Sequence, residues 1–335
     1  MSTQNRPPST ELAQTVRTSW SHFLDTYEPL RPELYRYCRY LTRSPWDAEE
    51  LVQDTLARAF VTLGRTGSAP PNPRAWLLRV ASNSWLDRTR RLREEPGAVP
   101  ETASAQEPRA AREAAGTLLV RLSPQERAAV VLKDVFELTL EEVAEALSTS
   151  VGAIKAALHR GRARMLEPEP EQTERRTPAA GVLDAFRDAF NARDLERLTA
   201  LLLDNASIEV VGITTEYVHD AARSNVFHGM MYGSERMAQA DTRGGMEARF
   251  IQGVLPTPPR CERRVLRGEP LLLLWYAHSD GEAVRAINRI ETGDSRVSRV
   301  QNYFFTPDLI ADVCRELEVP YRVNGYRSCL SSGEG

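Results

Sequence analysis

A run of basic side chains between residues 151 and 165 offers one chemistry that this sequence can perform, the binding of DNA phosphates. A helix here presents a face of small residues with cations on both sides of it. Small residues let a backbone approach a groove while flanking cations reach the phosphate walls. The side chains concerned are Lys155, His159, Arg160, Arg162 and Arg164. Few of them can reach base edges, so the pattern predicts weak direct readout, with a merely solvated basic face as the alternative.

Two helix starts position this basic segment. Ser123 and Thr139 each stand three residues before a glutamate, Glu126 and Glu142, which is the spacing of a capping box. The second start opens a short helix, a tight polar turn follows over residues 147–150, and the longer basic helix comes next. A short helix, a turn and a longer basic helix predict a helix-turn-helix.

A second charged cluster is acidic. Ser44 is placed to cap a helix with the sequence DAEELVQDTLARAFVTLG, whose apolar residues recur at helical spacing. Asp47, Glu50 and Asp54 fall on the side opposite the apolar stripe. Glu50 and Asp54 are like charges four residues apart, which costs an isolated helix roughly 0.2 to 0.5 kcal/mol. A cationic partner surface would remove this cost, and a solvated acidic face is the alternative.

Two further helices are predicted around the acidic one. The first spans about residues 20–42 and follows a polar tail. The second begins after Asn72, is apolar nearly all round in its first half, and has basic residues in its second half. Trp76 and Trp85 lie on it, where core packing is a stronger expectation than stacking on unpaired bases. Residues 94–116, rich in Ala, Glu and Pro, predict a flexible linker.

Composition predicts a reduced, cytoplasmic protein without a metal or a membrane segment. The 335 residues suggest two or three domains, and the net charge of −3 does not by itself indicate a nucleic-acid-binding protein. Six Arg and one Asp nevertheless lie between Arg74 and Arg93. The four cysteines lie far apart without metal-ligand spacing. No apolar run reaches membrane-spanning length, and the N-terminus lacks a signal-peptide core.

These blocks together resemble the extracytoplasmic-function (ECF) sigma factors, bacterial subunits that direct RNA polymerase to promoters. DAEELVQDTLARAF and NPRAWLLRVASNSWLDRTRRLR resemble region 2 of that family, and LSPQERAAVVLKDVFELTLEEVAEAL with the basic helix after it resembles region 4. The resemblance covers roughly residues 27–166 and implies core RNA polymerase and promoter DNA as partners. It implies that the clamp helices of the polymerase are bound by Asp47, Glu50, Gln53 and Asp54.

The resemblance also implies which residues hold DNA. Loop 64–73 and the helix after it match the part that captures the melted minus-ten strand, where a flipped base and cations along the strand trap open DNA. The implied residues on that helix are Asn83, Arg88, Arg90 and Arg91. Those implied at the minus-thirty-five element are Thr139, Lys155, His159, Arg160, Arg162 and Arg164. Many relatives have a Ser-Arg pair where this chain has Ala156-Ala157, so upstream specificity is expected to rest on shape and phosphates.

After residue 178 the pattern becomes that of a separate α+β domain. The helix GVLDAFRDAFN and a helix capped by Asp194 precede the strand SIEVVG, a Met-rich section and further strands, with hairpin turns at 279–281 and 292–294. The block FRDAFNARDLERLTALLLDNASIEVVG resembles the SnoaL-like, NTF2-like cone, in which helices close one side of a curved sheet around a pocket. Its relatives include isomerases and cyclases, and candidates by residue type for their chemistry are His219, Asp220, His228 and His278.

Catalysis is not expected from this domain, and neither is a cofactor. Acid–base chemistry would need one of those groups in a closed pocket with a shifted pKa, and attachment to a sigma-like segment favours regulation instead. The sequence leaves open a small-molecule ligand in the cone. Its lining candidates are Met230, Met231, Met237 and Met246, although core or interface filling is the stronger expectation. A tail follows that resembles the Pro-Asp motif found after the cone in SnoaL-fused ECF sigma factors, where the extension modulates activity in cis. Its residues are Thr306, Pro307, Asp308 and Leu309.

The sequence therefore predicts a multidomain protein with two all-α domains followed by an α+β cone. The ranges are region 2 at 19–95, a linker at 96–116, region 4 at 117–167, a linker at 168–178, the cone at 179–305 and the tail at 306–335. The predicted function is that of an ECF-type sigma factor regulated in cis by its C-terminal domain. The alternatives are a one-component, ligand-sensing helix-turn-helix regulator and a SnoaL-type isomerase or cyclase with a DNA-binding leader.

Overall fold

A computed structural model describes residues 8–94, 119, 122–165, 180–218, 220–232, 258–293 and 295–326. They belong to two compact units, residues 1–174 and 175–335. The predicted linkers at 96–116 and 168–178 lie outside the described residues. The predicted strand near residues 247–254 lies outside them as well.

The first unit begins with four helices, of which α3 and α4 start at the predicted signals. They are α1 (Pro8–Tyr27), α2 (Arg31–Thr42), α3 (Pro45–Thr66) and α4 (Pro73–Glu94). Ser44 Oγ accepts a hydrogen bond from the Asp47 amide at the start of α3, and Asn72 Oδ1 accepts one from the Ala75 amide at the start of α4. Helix α3 ends at Gly67, whose φ of 63° is a left-handed conformation that glycine adopts without strain.

The single helical segment predicted for residues 20–42 is wrong, because the structure has two helices there. A 3-10 turn, Glu28–Leu30, separates α1 from α2. Pro29 lies within this turn and Pro32 lies in the first turn of α2, and a proline inside a helix removes a backbone donor and clashes with the preceding turn. Helix α1 also begins at Pro8, within the segment for which the sequence predicted a polar tail.

A helix-turn-helix follows, as predicted. Its elements are α5 (Pro124–Val130), a π-helical turn (Val131–Val135), α6 (Leu140–Ala146) and α7 (Val151–Met165). Both predicted capping boxes are present, at Ser123 with Glu126 and at Thr139 with Glu142. Helix α7 crosses α5 at Gly161, where an added Cβ would lie only 3.1 Å from Val130 Cγ2. The close crossing therefore depends on a residue without a side chain.

The two helical groups of the first unit pack on each other. Helix α4 contacts α5 and α6, and α2 contacts α5 and the π-helical turn. The core of the first group includes Tyr37, Cys38, Leu41, Leu77 and Leu78, each at most 2% exposed. Apolar stripes predicted from helical spacing on α2 and α3 thus form the interior of this unit.

The second unit is an α+β domain, as predicted. Its elements are α8 (Ala180–Ala192), α9 (Leu195–Leu201), β1 (Leu202–Val210), β2 (Thr214–Tyr217), α10 (Asn225–Tyr232), β3 (Arg260–Leu266), β4 (Glu269–His278), β5 (Gly281–Gly293), β6 (Arg296–Tyr303) and α11 (Pro307–Glu316). The strands form one six-stranded sheet in the order β2-β1-β6-β5-β4-β3. Strands β3 to β6 make the predicted antiparallel meander, whereas β1 lies parallel to β6, which the sequence did not predict.

The sheet packs against α8 and α10 in one apolar core and against α11 outside that core. One face packs with Phe186 and Phe190 of α8 and Phe227 of α10 in a continuous apolar core. This arrangement of helices on one side of the sheet is that of the predicted cone. Helix α11 packs on β5, and its buried residues, such as Leu309 and Ile310, lie outside that core. The chain after α11 continues along β5 through a parallel bridge between Val284 and Tyr321.

Candidate functional site

The acids predicted to bind polymerase lie on the outer side of α3. Glu50 and Asp54 are exposed, and Asp47 is half-buried in the first turn. We call these three residues the acidic surface. Arg88 of α4 contacts two of them, with Nη1 lying 2.7 Å from Glu50 Oε2 and Nη2 lying 3.5 Å from Asp47 Oδ1. The like-charge cost predicted for this helix is therefore partly offset within the chain.

The fourth predicted residue, Gln53, turns toward the interior instead. Its Nε2 donates to Glu49 Oε1 at 3.0 Å. Glu49 is 1% exposed and forms an ion pair with the buried Arg31 of α2. Sequence reasoning missed this pair, although Glu49 is at helical spacing with Val52 in the apolar stripe. A carboxylate in a buried stripe requires a cationic partner, and that rule was the available signal.

The residues predicted to hold the minus-ten strand lie along α4 in different surroundings. Asn83 is half-buried and Arg91 is exposed. Arg90 Nη2 donates to Asp87 Oδ1 at 3.1 Å, while Arg88 contacts the acidic surface. Two of the four side chains are thus engaged by carboxylates of the same region, and a DNA phosphate would have to compete for them.

Three of the cations predicted to bind upstream DNA contact carboxylates beside α7. Arg160 Nε donates to Glu126 Oε1 at 3.1 Å, and Arg164 donates to the other oxygen of Glu126. Arg162 donates to both oxygens of Asp134, at 3.1 and 2.5 Å. Sequence reasoning missed these contacts because the partners are 28 to 38 residues apart. They hold α7 on α5 and the π-helical turn.

Lys155 and His159 form the most accessible part of the predicted DNA face. Both are exposed, as are Gly152 and Ala156 on the same side of α7. Thr139 is exposed as well, and its Oγ1 accepts a hydrogen bond from the Glu142 amide at the start of α6. The small side chains leave room for a nucleic-acid backbone to approach this face closely.

Glu126 is the electrostatic centre of the helix-turn-helix. It is 3% exposed, yet it accepts hydrogen bonds from the Ser123 amide, Arg160 and Arg164. Burial acts to raise the pKa of Glu126, but the Ser123 hydrogen bonds and the two guanidinium groups outweigh burial and hold the pKa below its usual value. The charged carboxylate therefore stabilises the folded state.

Acid should weaken the first unit through Glu126. Because its pKa is lower in the folded chain, its contribution is complete above the unfolded value of about 4.3 and is lost as pH falls through the folded value. Replacing Glu126 by Gln is expected to cost about 1 to 3 kcal/mol at pH 7 and to reduce the loss of stability on acidification. Urea unfolding of both proteins between pH 7 and pH 3 measures this, and parallel stability curves would contradict it.

Two of the candidate acid–base residues of the second unit, Asp220 and His228, have local structural partners. Asp220 caps a 3-10 turn by accepting from the Ala222 amide at 2.9 Å, and His228 Nε2 lies 2.8 Å from the Ala222 carbonyl oxygen. His278 stands at the end of β4, where burial and the charges of nearby arginines lower its pKa. His219, Met237 and Met246 lie outside the described residues. The candidate lining residues Met230 and Met231 are buried in the apolar core.

The predicted regulatory tail is packed onto the sheet. Thr306 and Leu309 are fully buried, and Pro307 occupies the first turn of α11. Asp308 Oδ2 accepts a hydrogen bond from the Tyr326 hydroxyl at 2.7 Å. The motif thus ties the end of the described chain to the start of α11.

Neither a metal cluster nor a membrane span is present in the described part of the chain. No group of three or more His, Cys, Asp or Glu side chains there could hold a metal ion. None of the helices described is both long and apolar enough to cross a bilayer.

Comparison with known proteins identifies the two helical groups. Family models for sigma-70 region 2 and sigma-70 region 4 match residues 26–95 and 112–165. The RNA polymerase sigma-E factor of Streptomyces coelicolor is 37% identical over 141 residues, which are 40% of this chain and 78% of that protein. The ECF RNA polymerase sigma factor SigM of Mycobacterium tuberculosis is 32% identical over 139 residues, which are 40% of this chain and 69% of that protein. The chain belongs to the ECF RNA polymerase sigma factors.

A longer match is to a second sigma factor of Mycobacterium tuberculosis. The ECF RNA polymerase sigma factor SigG of Mycobacterium tuberculosis is 29% identical over 242 residues. The match covers 60% of this sigma factor and 64% of SigG, just under two thirds of that relative's length. Hereafter region 2 denotes α1 to α4 and region 4 denotes α5 to α7.

Proposed function

We propose that this sigma factor binds core RNA polymerase through the acidic surface of α3 and holds promoter DNA through α4 and α7. Asp47, Glu50 and Asp54 supply the charge for the first contact. Region 2 would hold the melted minus-ten strand, and region 4 would contact the minus-thirty-five duplex. In this role the chain positions polymerase on DNA and carries out no chemistry itself.

The exposure of Glu50 and Asp54 on one side of α3 is the observation that carries the proposal. Two like charges one helical turn apart oppose helix stability, so an exposed pair is accounted for by an external cationic surface. Opposite potentials on two proteins also raise the rate at which they meet. Arg88 contacts Glu50 and Asp47, and its single positive charge offsets only part of the charge of the three acids.

The DNA side of the proposal is supported by the exposed face of α7. Lys155 and His159 flank small residues, so the helix backbone can approach a groove. Arg160 and Arg164 are drawn to Glu126, which leaves fewer cations for phosphates than the sequence suggested. Each phosphate contact that is absent lowers the salt dependence of binding, so the upstream contact is expected to be modest.

Reconstituted transcription tests this function. Core polymerase and genomic fragments from the organism that encodes the chain are incubated with the purified sigma factor, and the 5′ ends of transcripts are mapped. Defined start sites that appear only with the sigma factor are expected. Transcripts whose ends are the same with and without it would contradict the proposal.

We further propose that the C-terminal α+β domain regulates this activity in cis. A domain on the same chain acts at roughly millimolar effective concentration, so even weak contacts with region 2, region 4 or polymerase would have an effect. A chain ending at residue 178 is expected to differ from the full chain by at least about threefold in transcript yield at equal occupancy of polymerase. A variant carrying Asp308→Ala tests the tail motif separately. Equal yields from all three proteins would argue against regulation.

A further inference from the structure

Two asparagines interrupt the apolar face of the sheet in the second unit. Asn288 on β5 and Asn302 on β6 are direct partners in the antiparallel pairing of these strands, so their side chains lie on the same face. Ala286 and Ile290 stand two residues to either side of Asn288, and both belong to the apolar core shared with α8 and α10. Because side chains alternate along a strand, the two amides point into that core. Asn288 is 0% exposed and Asn302 is 3% exposed.

This amide pair leaves one donor without a partner. Asn302 Nδ2 donates to Asn288 Oδ1 at 2.7 Å, and this bond uses the oxygen of the Asn288 amide. Asn288 Nδ2 is buried and has no hydrogen-bond partner in the part of the chain that the structure describes. A buried amide that gives up its bonds to water without replacing them destabilises the fold. The free donor is therefore matched to an acceptor that the described residues do not supply.

Asparagines that support the fold of this domain are bonded differently. Asn191 on α8 exchanges two hydrogen bonds with the backbone of Cys261, at 2.9 and 2.7 Å. Asn324, in the chain after α11, accepts from the Arg285 side chain and donates to two backbone carbonyl oxygens. Each of these amides joins separate segments of the chain. The side-chain bond of Asn288 instead joins two strands that the sheet already pairs, so it adds little to the fold.

The surroundings of the free donor determine which molecules fit. The core on this face includes Phe186 and Phe190 of α8 and Phe227 of α10, all fully buried. Met230 and Met231 of α10 belong to the same core, and such unbranched side chains can rearrange around a guest. An ionised guest would lose its hydration in this apolar environment. The chemistry therefore favours an uncharged, mainly apolar molecule with one oxygen that accepts a hydrogen bond.

We propose that the cone binds a small, uncharged and mainly apolar molecule whose carbonyl oxygen accepts a hydrogen bond from Asn288 Nδ2. Asn302 is the positioning residue, because its bond to Asn288 Oδ1 fixes the orientation of the Asn288 amide. An analogue without the oxygen is disfavoured because it leaves the buried donor unpaired. This binding site goes beyond the regulation proposed above and exists whether or not the domain acts on transcription.

Benzophenone and diphenylmethane form a matched pair of probes for the full chain. Both are uncharged and apolar, and only benzophenone carries a carbonyl oxygen. Calorimetric titration is expected to show that benzophenone binds about fivefold more tightly, through one hydrogen bond. Irradiation attaches benzophenone to side chains near its carbonyl, so peptides that contain Met230, Met231 or β5 should be labelled. A chain that binds neither probe, binds both equally, or is labelled only outside the second unit would overturn the proposal.

Replacing both asparagines separates binding from folding. Asn288→Leu with Asn302→Leu keeps branched side chains of similar shape and removes both amides, so the double variant should unfold at an equal or higher urea concentration. Its preference for benzophenone should disappear. Gln301→Leu is the matched control, because Gln301 adjoins Asn302 on the opposite face of β6, and it should keep the preference. A double variant that keeps the preference shows that Asn288 does not contact the carbonyl, and one that no longer folds shows that the pair is structural. Either result contradicts the proposal.

Discussion

Replacing Glu50 and Asp54 together by Lys is expected to weaken binding of core RNA polymerase by about 30-fold, because both exposed charges of the acidic surface then repel a cationic partner. Neither side chain is buried, so the fold should survive the change. The loss should be larger at low salt than at high salt, since exposed charges are screened within about 10 Å at 0.1 M ionic strength. Binding is measured by fluorescence anisotropy of labelled sigma factor titrated with core polymerase.

Two control proteins make this result specific to the acidic surface. Asp204→Lys reverses a fully exposed acid of the second unit and should leave the affinity within about twofold. Arg88→Gln removes the cation that contacts Glu50 and Asp47 without reversing either acid, so polymerase binding should be kept or strengthened. An unchanged affinity for the Glu50 and Asp54 double variant, with a normal unfolding curve, would remove the main support for the proposed function.

Features determined by a few neighbouring residues could be predicted from the sequence. Ser44, Ser123, Thr139 and Asp194 each accept a hydrogen bond from an amide three residues away, so the chemistry of a helix start is contained in four residues. The side of α3 that carries Asp47, Glu50 and Asp54 follows equally from helical spacing, and the structure exposes Glu50 and Asp54 there. Apolar spacing alone did not reveal the boundary between α1 and α2, where the two prolines that interrupt the helix lie.

Contacts between distant residues could not be predicted in this way. The parallel pairing of β1 with β6 joins Ile208 to Val300, and nothing near either residue specifies the other. Arg160 and Arg164 were expected to reach DNA, but their distance from Glu126 depends on how α7 crosses α5 at Gly161. A cation's position on a helix face therefore indicates where it can reach, while its actual partner depends on the tertiary fold.

Breaking the buried ion pair between Arg31 and Glu49 is expected to have the largest effect on the stability of the first unit. Replacing Arg31 by Met is expected to lower the free energy of unfolding of the first unit by about 3 to 5 kcal/mol, because Glu49 is then left charged and buried without its cation. Four of the five tryptophans lie in this unit, so urea unfolding followed by fluorescence in a Trp275→Phe background reports on it. Arg58→Met is the surface control, since its contact with Asp87 is 3.9 Å long and exposed, and it should cost less than about 1 kcal/mol.

A double variant distinguishes a buried charge from a packing defect. Replacing Arg31 and Glu49 both by Met removes the unpaired charge and keeps similar volume, so most of the lost stability should return. If the double variant stays as unstable as Arg31→Met, packing at this site dominates and the ion pair is not the cause. Because Glu49 is the sequence neighbour of Glu50 on α3, a stable double variant that still binds core polymerase would also show that the acidic surface acts through its exposed charges and does not need the buried pair.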